Sequence, residues 1–258
     1  MKNSVSQITR YDMALQEEFE TTGNWLFRWR SYLPLLLIIL VFGSMRNYHY
    51  LGYSQLYDYL WEEFCILVGF FGLGIRAWTI GHTPADTSGR NTKEQVAEKL
   101  NTSGIYSLVR HPLYLGNYFM MLGVVLFSRN IWGIVVYSLL FAIYYERIMF
   151  AEEAYLRSKF GADFQDWAAR TPAFIPKLRG YQAPNLPFSL KNVLKREYSG
   201  FFGFLASMFI VELFGDWIVT GKLHFDLAWL VILAVGLLIY LTLRTLKKKT
   251  RLLHVEGR

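Results

Sequence analysis

The chain has 258 residues, a formal net charge of +7 and an unusually apolar composition. Hydrophobic residues make up 53% and charged residues only 18%, whereas an average soluble domain has roughly 25% charged residues. This composition excludes an ordinary soluble domain and predicts an integral membrane protein. The single cysteine, Cys65, excludes an intramolecular disulfide and a cysteine-rich metal site. We therefore expect Cys65 to serve packing, and we predict no metal site.

Six stretches are apolar enough to be membrane spans, which predicts an all-α, polytopic transmembrane helix bundle. They are Tyr32–Met45, Leu60–Gly81, Pro112–Phe127, Ile131–Ala151, Phe201–Thr220 and Phe225–Leu246. The first has 14 residues and the third has 16, fewer than the roughly 20 that cross the hydrocarbon core without tilting. We therefore expect these two to borrow flanking residues such as Trp25–Trp29, or to lie tilted or re-entrant.

The distribution of Lys and Arg predicts the orientation, because cytoplasmic loops carry the excess of positive charge. With the N-terminus inside, the inner segments hold 22 of the 27 basic residues, the outer segments hold three, and Arg76 and Arg147 fall within spans. This pattern predicts a multi-pass protein of the inner membrane with both termini cytoplasmic. It also explains the basic run Lys247–Lys249 by contact with anionic lipid rather than with nucleic acid. The polar first 31 residues predict no cleavable signal peptide.

Three parts are predicted along the chain: residues 1–103, 104–176 and 177–258. The first contains two spans and a polar loop, with a short helix expected over Thr92–Leu100. In the second, Ser128–Asn130 is short enough to make the neighbouring spans an antiparallel helical hairpin. Its second helix should continue into the cytoplasm as a polar helix that ends at Gly161. The third part is a connector followed by two spans.

Charged residues at the end of the fourth span are the first candidate functional residues. Each ionisable group inside a bilayer costs roughly 2.5–3.5 kcal/mol on insertion scales, so such a group is a candidate for a functional role. The set is Glu146, Arg147, Glu152 and Glu153. These side chains could also simply extend to the interface and pair there.

A second polar set lies at the start of the third span, within residues 107–117. Pro112 suits a first helical turn, and the helix N-terminus offers amides for polar or anionic groups beside Arg110 and His111. Gly116 permits close backbone approach, while Tyr114 and Asn117 add an aromatic face and an amide. The predicted hairpin brings this set next to Glu152 and Glu153.

Together these residues form a combined pattern: Arg-His-Pro-x-Tyr-x-Gly at 110–116, Glu-Glu-x-x-Leu at 152–156, Phe-Gly at 160–161 and Pro-x-x-Ile-Pro at 172–176. The order and spacing resemble the isoprenylcysteine carboxyl methyltransferase and phospholipid methyltransferase superfamily over residues 104–176. The resemblance implies a membrane methyltransferase that uses S-adenosylmethionine without a Rossmann domain.

The resemblance also implies roles for individual residues. Arg110, His111, Leu113, Tyr114, Gly116 and Asn117 would line the cofactor pocket. Glu153 would contact the amino-acid end of the cofactor, and Pro172 and Pro176 would shape the loop that closes over it. Arg147 is the candidate for positioning the substrate, with Glu146 and Glu152 as candidate catalytic carboxylates.

The acceptor is predicted to be a lipid or a lipid-anchored group. Methyl transfer mainly requires alignment of nucleophile, methyl group and sulfur. An anionic acceptor needs an arginine to orient it, whereas an amine must first lose a proton, for which Glu146 or Glu152 would serve. The hydroxyl-rich segment with Arg90 and Asn91 as substrate-binding residues resembles enzymes that methylate a lipid A phosphate. A phospholipid amine and a prenylcysteine carboxylate stay open as alternatives.

Two other functional classes are compatible with parts of the sequence. Sterol-type reductases that use NADPH have a similar Arg-His-Pro turn, but they usually show Asn-Tyr where this chain has Leu113 and Tyr114. A transporter or membrane scaffold would place polar residues and helix breaks near the midplane of the bilayer. Here the polar groups gather at one membrane face, and the carboxylate and Pro-x-x-Ile-Pro elements favour methyl transfer.

Overall fold

The computed structural model describes residues 15–30, 32, 37–50, 52, 55–84 and 97–258. Over these ranges the chain forms eight α-helices and no β-strand, which confirms the predicted all-α class. The helices are α1 (Leu15–Trp29), α2 (Leu37–Ser44), α3 (Gln55–Gly81), α4 (Pro112–Leu126), α5 (Ile131–Phe160), α6 (Ala162–Arg170), α7 (Leu190–Thr220) and α8 (Leu227–Lys249). Short 3-10 turns lie at Met45–Asn47 and Ile105–Ser107.

Among the described residues, four helices are long and apolar enough to cross a membrane: α3, α5, α7 and α8. The predicted third span forms α4, which has only 15 residues. The predicted first span contains the eight-residue helix α2, while Trp25–Trp29 belong to α1. The chain is therefore a multi-pass membrane protein, and the total of six spans with cytoplasmic termini stays a prediction.

Helices α1 and α2 pack along successive parts of α5. Phe19 meets Phe150 with ring centroids 5.8 Å apart, and the hydroxyl of Tyr144 donates to the carbonyl of Leu26. A side chain at Gly133, near the start of α5, would contact Ser44. Helix α1 therefore runs antiparallel to the second half of α5, and α2 lies beside its first half.

The close contact between α3 and α4 depends on glycine. A Cβ atom at Gly72 would lie 2.5 Å from the carbonyl oxygen of Gly116, and one at Gly123 would lie 2.6 Å from that of Cys65. Small residues let helix backbones approach closely in membranes. Cys65 is fully buried at this contact, in agreement with its predicted packing role.

The predicted hairpin is confirmed, because α4 and α5 are joined by only residues 127–130. The side chain of Asn130 caps α5 by accepting hydrogen bonds from the amides of Trp132 and Gly133. Helix α5 ends at Gly161, whose φ of 53° favours glycine. Of the short helix predicted over Thr92–Leu100, only residues 97–100 are described, and they form bends.

One end of the bundle contains Gly81, Pro112, Phe160, Leu190 and Lys249, and we call it the basic end. The C-terminal segment folds back onto it, where the guanidinium of Arg258 donates to the carbonyls of Gly81 and Pro187. The opposite end contains Ser44, the turn between α4 and α5, and the turn between α7 and α8.

Candidate active site

The two polar sets predicted to converge do meet at the basic end. The Arg110 guanidinium donates to Glu153 at 2.8 Å, and Nε2 of His111 lies 2.9 Å from the same oxygen. The hydroxyl of Tyr114 donates to Glu152 at 2.7 Å. We call these five side chains, Arg110, His111, Tyr114, Glu152 and Glu153, the motif cluster.

The start of α4 sets the geometry of this cluster. Pro112 occupies the first helical turn, as predicted, and His111 is the N-cap residue, whose backbone angles are not helical. His111 therefore projects away from the helix toward α5. Glu152 and Glu153, which are neighbours on α5, reach opposite nitrogens of its ring: Nδ1 lies 3.4 Å from Glu152 and Nε2 lies 2.9 Å from Glu153.

The position of His111 between two carboxylates favours its protonated form. Burial alone would lower the pKa of His111, but the hydrogen bonds to Glu152 and Glu153 and their negative charges outweigh burial and raise this pKa. The protonated ring donates from both nitrogens and carries a positive charge. In this form Arg110 and His111 balance the two carboxylates, so the motif cluster is then close to neutral.

The loop after α6 is bound to the start of α4 through the backbone. The amide of Arg110 donates to the carbonyl of Pro172 at 2.9 Å, and that of His111 donates to Ala173 at 3.1 Å. The amide of Lys177 donates to Leu108, and the Arg110 guanidinium also donates to the carbonyls of Ala168 and Thr171. This loop, which contains Pro172 and Pro176, therefore covers the motif cluster and occupies the amides of Arg110 and His111.

Aromatic rings form one side of the site. Tyr145 lies 4.7 Å from Tyr114 and 4.1 Å from Phe141 between ring centroids, and Tyr118 lies 5.1 Å from Phe141. We call Tyr114, Tyr118, Phe141 and Tyr145 the aromatic wall. Phe174 of the covering loop packs against it, with its ring 6.0 Å from that of Phe141.

Three predicted cofactor residues of α4 contact protein rather than open space. The carbonyl of Leu113 faces the guanidinium of Arg76 at 3.5 Å, and the amide oxygen of Asn117 accepts from it at 2.6 Å. Gly116 does permit close approach, as predicted, but the backbone that approaches is that of Gly72 in α3. Their contact with a cofactor stays a prediction.

The predicted catalytic pair Glu146 and Arg147 lies apart from the motif cluster. Glu146 is exposed on the outside of α5. The Arg147 guanidinium lies over the ring of Phe19 in α1, 3.3 Å from its centroid. The predicted substrate residues Arg90 and Asn91 lie outside the described residues. Glu152 is therefore the predicted catalytic carboxylate that the structure brings into the site.

A small pocket that is open to solvent adjoins the site between the end of α3 and the turn at Ile105–Ser107. Its lining is mostly polar and aromatic: Trp78, Thr79, His82, Thr83, Asn101, Ser103, Gly104, Ile105 and Tyr106. Tyr106, which lines this pocket, lies near the motif cluster. Burial first and then the negative charge of Glu152 raise the pKa of this tyrosine. The ring of His82 is held by Nδ1 donation to the carbonyl of Leu186, and Nε2 is buried without a partner among the described residues.

Comparison of the sequence with known proteins shows which family the chain belongs to. The sequence profile of the phospholipid methyltransferase family matches residues 59–163. The cobalt-zinc-cadmium resistance protein CzcN of Cupriavidus metallidurans is 30% identical over 188 residues, which cover 72% of this chain and 79% of that protein. The chain belongs to the isoprenylcysteine carboxyl methyltransferase and phospholipid methyltransferase superfamily.

Other relatives agree with this assignment. The nickel-cobalt-cadmium resistance protein NccN of Alcaligenes xylosoxydans is 33% identical over 153 residues, covering 58% of this chain and 63% of that protein. The protein-S-isoprenylcysteine O-methyltransferase of Schizosaccharomyces pombe is 33% identical over 95 residues, covering 34% of this chain and 40% of that enzyme. No solved structure matches the chain. The chain is thus a methyltransferase, and S-adenosylmethionine is its methyl donor.

The site residues fit this donor chemically. S-adenosylmethionine carries an ammonium, a carboxylate, a sulfonium and an adenine ring. The motif cluster offers carboxylates and cations for the charged end, and the aromatic wall offers ring faces, which attract cations such as a sulfonium. The bound donor supplies the methyl group, while Glu153 would hold the ammonium of its amino-acid end and Tyr114 would orient Glu152.

Two residues with buried charges were missed by the sequence predictions. Arg76 and Glu197 form an ion pair at 2.7 Å beside Asn117. A signal for Arg76 was present, because an arginine inside a predicted span is unusual. Glu197 gave no such signal, because it follows several basic residues in what was predicted to be a connector.

Proposed function

We propose that this chain methylates the polar head group of a membrane lipid at the cytoplasmic face. The observation that carries the proposal is the convergence of Arg110, His111, Tyr114, Glu152 and Glu153 at the basic end of a membrane-spanning bundle. Excess basic charge marks the cytoplasmic side, so this end would face the cytoplasm of the inner membrane. A lipid could reach such a site sideways, with its tails in the bilayer and its head group at the interface.

The described residues favour an amino head group as the acceptor. The motif cluster is charge-balanced, so it would not repel an ammonium in the way that an electropositive site would. Among the described residues, the lining of the pocket beside Tyr106 contains no Lys or Arg, and it offers oxygen acceptors. Such a lining suits a ligand that donates hydrogen bonds, and the match to the phospholipid methyltransferase family agrees with it.

A lipid A phosphate is the second candidate, and it has lost part of its sequence support. Arg110 is bound by Glu153 and two carbonyls, and Arg147 lies over Phe19. The observation that still favours an anionic acceptor is Arg196, which lies close enough to Tyr106 to oppose the rise in its pKa. A prenylcysteine carboxylate would need the same cationic support.

Methyl transfer to an amine requires the ammonium to lose its proton before it attacks. The amine nitrogen forms a bond to the methyl carbon as the carbon–sulfur bond breaks, and S-adenosylhomocysteine leaves. Glu152 is the candidate proton acceptor, because it touches Tyr114 and is about a quarter exposed, at 26% of its side chain. The other site residues align the reactants and exclude water.

The acceptor can be identified with methyl-labelled S-adenosylmethionine. Membranes that contain the wild-type protein are incubated with it, and phospholipids, lipid A and membrane proteins are separated; membranes lacking the protein are the control. Phospholipase D should then release labelled methylethanolamine from the phospholipid fraction. Label confined to lipid A would replace the amine by the phosphate, and label confined to protein would overturn the lipid proposal.

A further inference from the structure

A buried ion pair joins α7 to the active site. The Arg76 guanidinium of α3 donates two hydrogen bonds to the carboxylate of Glu197 in α7, from Nε at 2.7 Å and from Nη2 at 2.8 Å. Its remaining nitrogen, Nη1, donates to the side-chain oxygen of Asn117 in α4 at 2.6 Å. The side chain of Glu197 is 6% exposed and that of Arg76 is 20% exposed, so the pair is largely buried. Three helices thus meet at one guanidinium.

This contact fixes the orientation of the Asn117 amide. Arginine has no hydrogen-bond acceptor, so the oxygen of Asn117 must face Arg76 and its nitrogen must face away. That nitrogen donates to the hydroxyl of Tyr145 at 3.1 Å. Tyr145 stands in the aromatic wall against Tyr114, whose hydroxyl binds Glu152. The chain of contacts therefore runs from Glu197 to the motif cluster.

Stability alone does not account for a buried ion pair at this position. Removing two charges from water costs several kcal/mol per ion, and well-packed apolar residues of similar size are often as stable or more stable. The contact also needs glycine at position 116, where a Cβ atom would lie against the side chain of Arg76 and 2.8 Å from the carbonyl of Gly72. The helices thus pack around the charged side chain of Arg76, although an apolar side chain could occupy the same space.

We propose that Arg76 and Glu197 are positioning residues for methyl transfer, which act by holding Asn117 and, through it, Tyr145 of the aromatic wall. Helix α7 then contributes to the reaction, although it lies outside the unit predicted over residues 104–176. The proposal concerns the methyltransferase reaction, whichever lipid accepts the methyl group.

The test separates positioning from packing by removing both charges together. The variant Arg76→Met/Glu197→Leu leaves no unpaired charge, so we expect its melting temperature in detergent to stay within a few degrees of the wild type. Its turnover should nevertheless fall at least roughly tenfold, because small misplacements at a reacting centre are costly. The matched control is Arg129→Met/Asp58→Leu, which removes an ion pair at the opposite end and should leave turnover of the folded protein unchanged.

The variant Tyr145→Phe makes the test independent of the ion pair. Phenylalanine keeps the ring in the aromatic wall but removes the hydroxyl that accepts from Asn117. We expect a similar fall in turnover, and no further fall when the substitution is added to the double variant, because residues in one network do not act additively. If the double variant does not fold, Tyr145→Phe alone decides.

Turnover is measured with methyl-labelled S-adenosylmethionine and native membranes, as the ratio of variant to wild type in whichever fraction carries label. The distribution of wild-type label tests the lipid acceptor separately from this ratio. Folded variants that turn over within twofold of the wild type would overturn the positioning role. Slow turnover with an unchanged melting temperature supports it.

Discussion

Both ends of the bundle bury charged side chains, but they do so differently. At the basic end Arg110 and His111 balance Glu152 and Glu153, and a loop covers them. At the opposite end one arginine, Arg129, lies among four buried carboxylates: Asp58, Glu62, Glu212 and Asp216. Among the described residues that end shows no group arranged to hold a metal ion. Charge burial alone therefore does not mark the active site, whereas the sequence motifs and the covering loop do.

The buried carboxylates of the opposite end lie on α3 and α7, and their partners come from the segment before α3, the turn between α4 and α5, and α8. Asp58 pairs with Arg129, Tyr50 donates to Asp216 at 3.0 Å, and Trp229 donates to Glu62 at 3.3 Å. Burial raises the pKa of Tyr50 to about 12, helped by its hydrogen bond to Asp216. We interpret this end as structural, which makes it the natural control for the basic end.

The largest effect is expected for Arg110→Met. Its guanidinium joins Glu153 to the carbonyls of Ala168 and Thr171, so its loss frees both a carboxylate and the covering loop. We expect turnover to fall about 100-fold, as for a displaced catalytic group, in the labelled-methyl assay. Lys177→Met is the control on the same loop, because the Lys177 side chain is only partly buried and donates to the carbonyl of Arg170 rather than to the motif cluster; an equal loss in that variant would contradict the account.

At the opposite end, Asp58→Asn should lower stability rather than turnover. It leaves Arg129 without its charged partner, and breaking a buried pair in this way costs roughly 3–5 kcal/mol. A clear drop in melting temperature is expected, with turnover per folded molecule within twofold of the wild type. If turnover fell as it does for Arg110→Met, the division between the two ends would be wrong.

A smaller but paired effect is expected where α3 crosses α4. Alanine at Gly72 would meet the carbonyl of Gly116 at 2.5 Å, and alanine at Gly116 would meet that of Gly72 at 2.8 Å. Each substitution should lower stability by about 1–3 kcal/mol, as overpacking does. Thermal unfolding of both variants tests this. Loss of cofactor binding in Gly116→Ala without loss of stability would instead restore the predicted cofactor contact of Gly116.

The charge of His111 predicts a pH dependence for the basic end. Because its pKa is raised in the folded protein, the stability it contributes is fully present below the ordinary histidine pKa and is lost as the pH rises through the raised value. The melting temperature should therefore fall with rising pH in the wild type, and less so in His111→Asn. Parallel profiles for the two proteins would show that His111 is not charged.

The smallest effects are expected at Glu146 and Arg147, the predicted catalytic pair that lies away from the motif cluster. Glu146→Gln changes an exposed side chain and should alter stability by no more than about 0.5 kcal/mol. Arg147→Met keeps an apolar stem against Phe19 and should slow turnover less than threefold, well below the effect of Arg110→Met. Kinetics at saturating donor decide, and a large loss in Arg147→Met would reinstate its role in positioning the substrate.

Residues close together in sequence predicted the helix ends and the main site residues. Contacts between residues distant in sequence account for the features that were not predicted. Pro112 predicted the start of α4 and Gly161 predicted the end of α5. Proline suits a first helical turn, and glycine suits the residue that follows a helix. The short turn at residues 127–130 placed His111 beside Glu153. The partners of Gly116, Asn117 and the Arg110 amide could not be predicted in this way, because Gly72, Arg76 and Pro172 reach them only through tertiary packing.

Binding of S-adenosylhomocysteine tests the central claim, that the motif cluster at the basic end holds the methyl donor. Calorimetry should show binding to the wild type and to Asp58→Asn with equal affinity. Glu153→Gln should weaken it at least roughly tenfold, because a charge-assisted hydrogen bond is replaced by a neutral one. Equal affinity in Glu153→Gln and the wild type, with loss in Asp58→Asn, would place the donor at the opposite end and contradict the account.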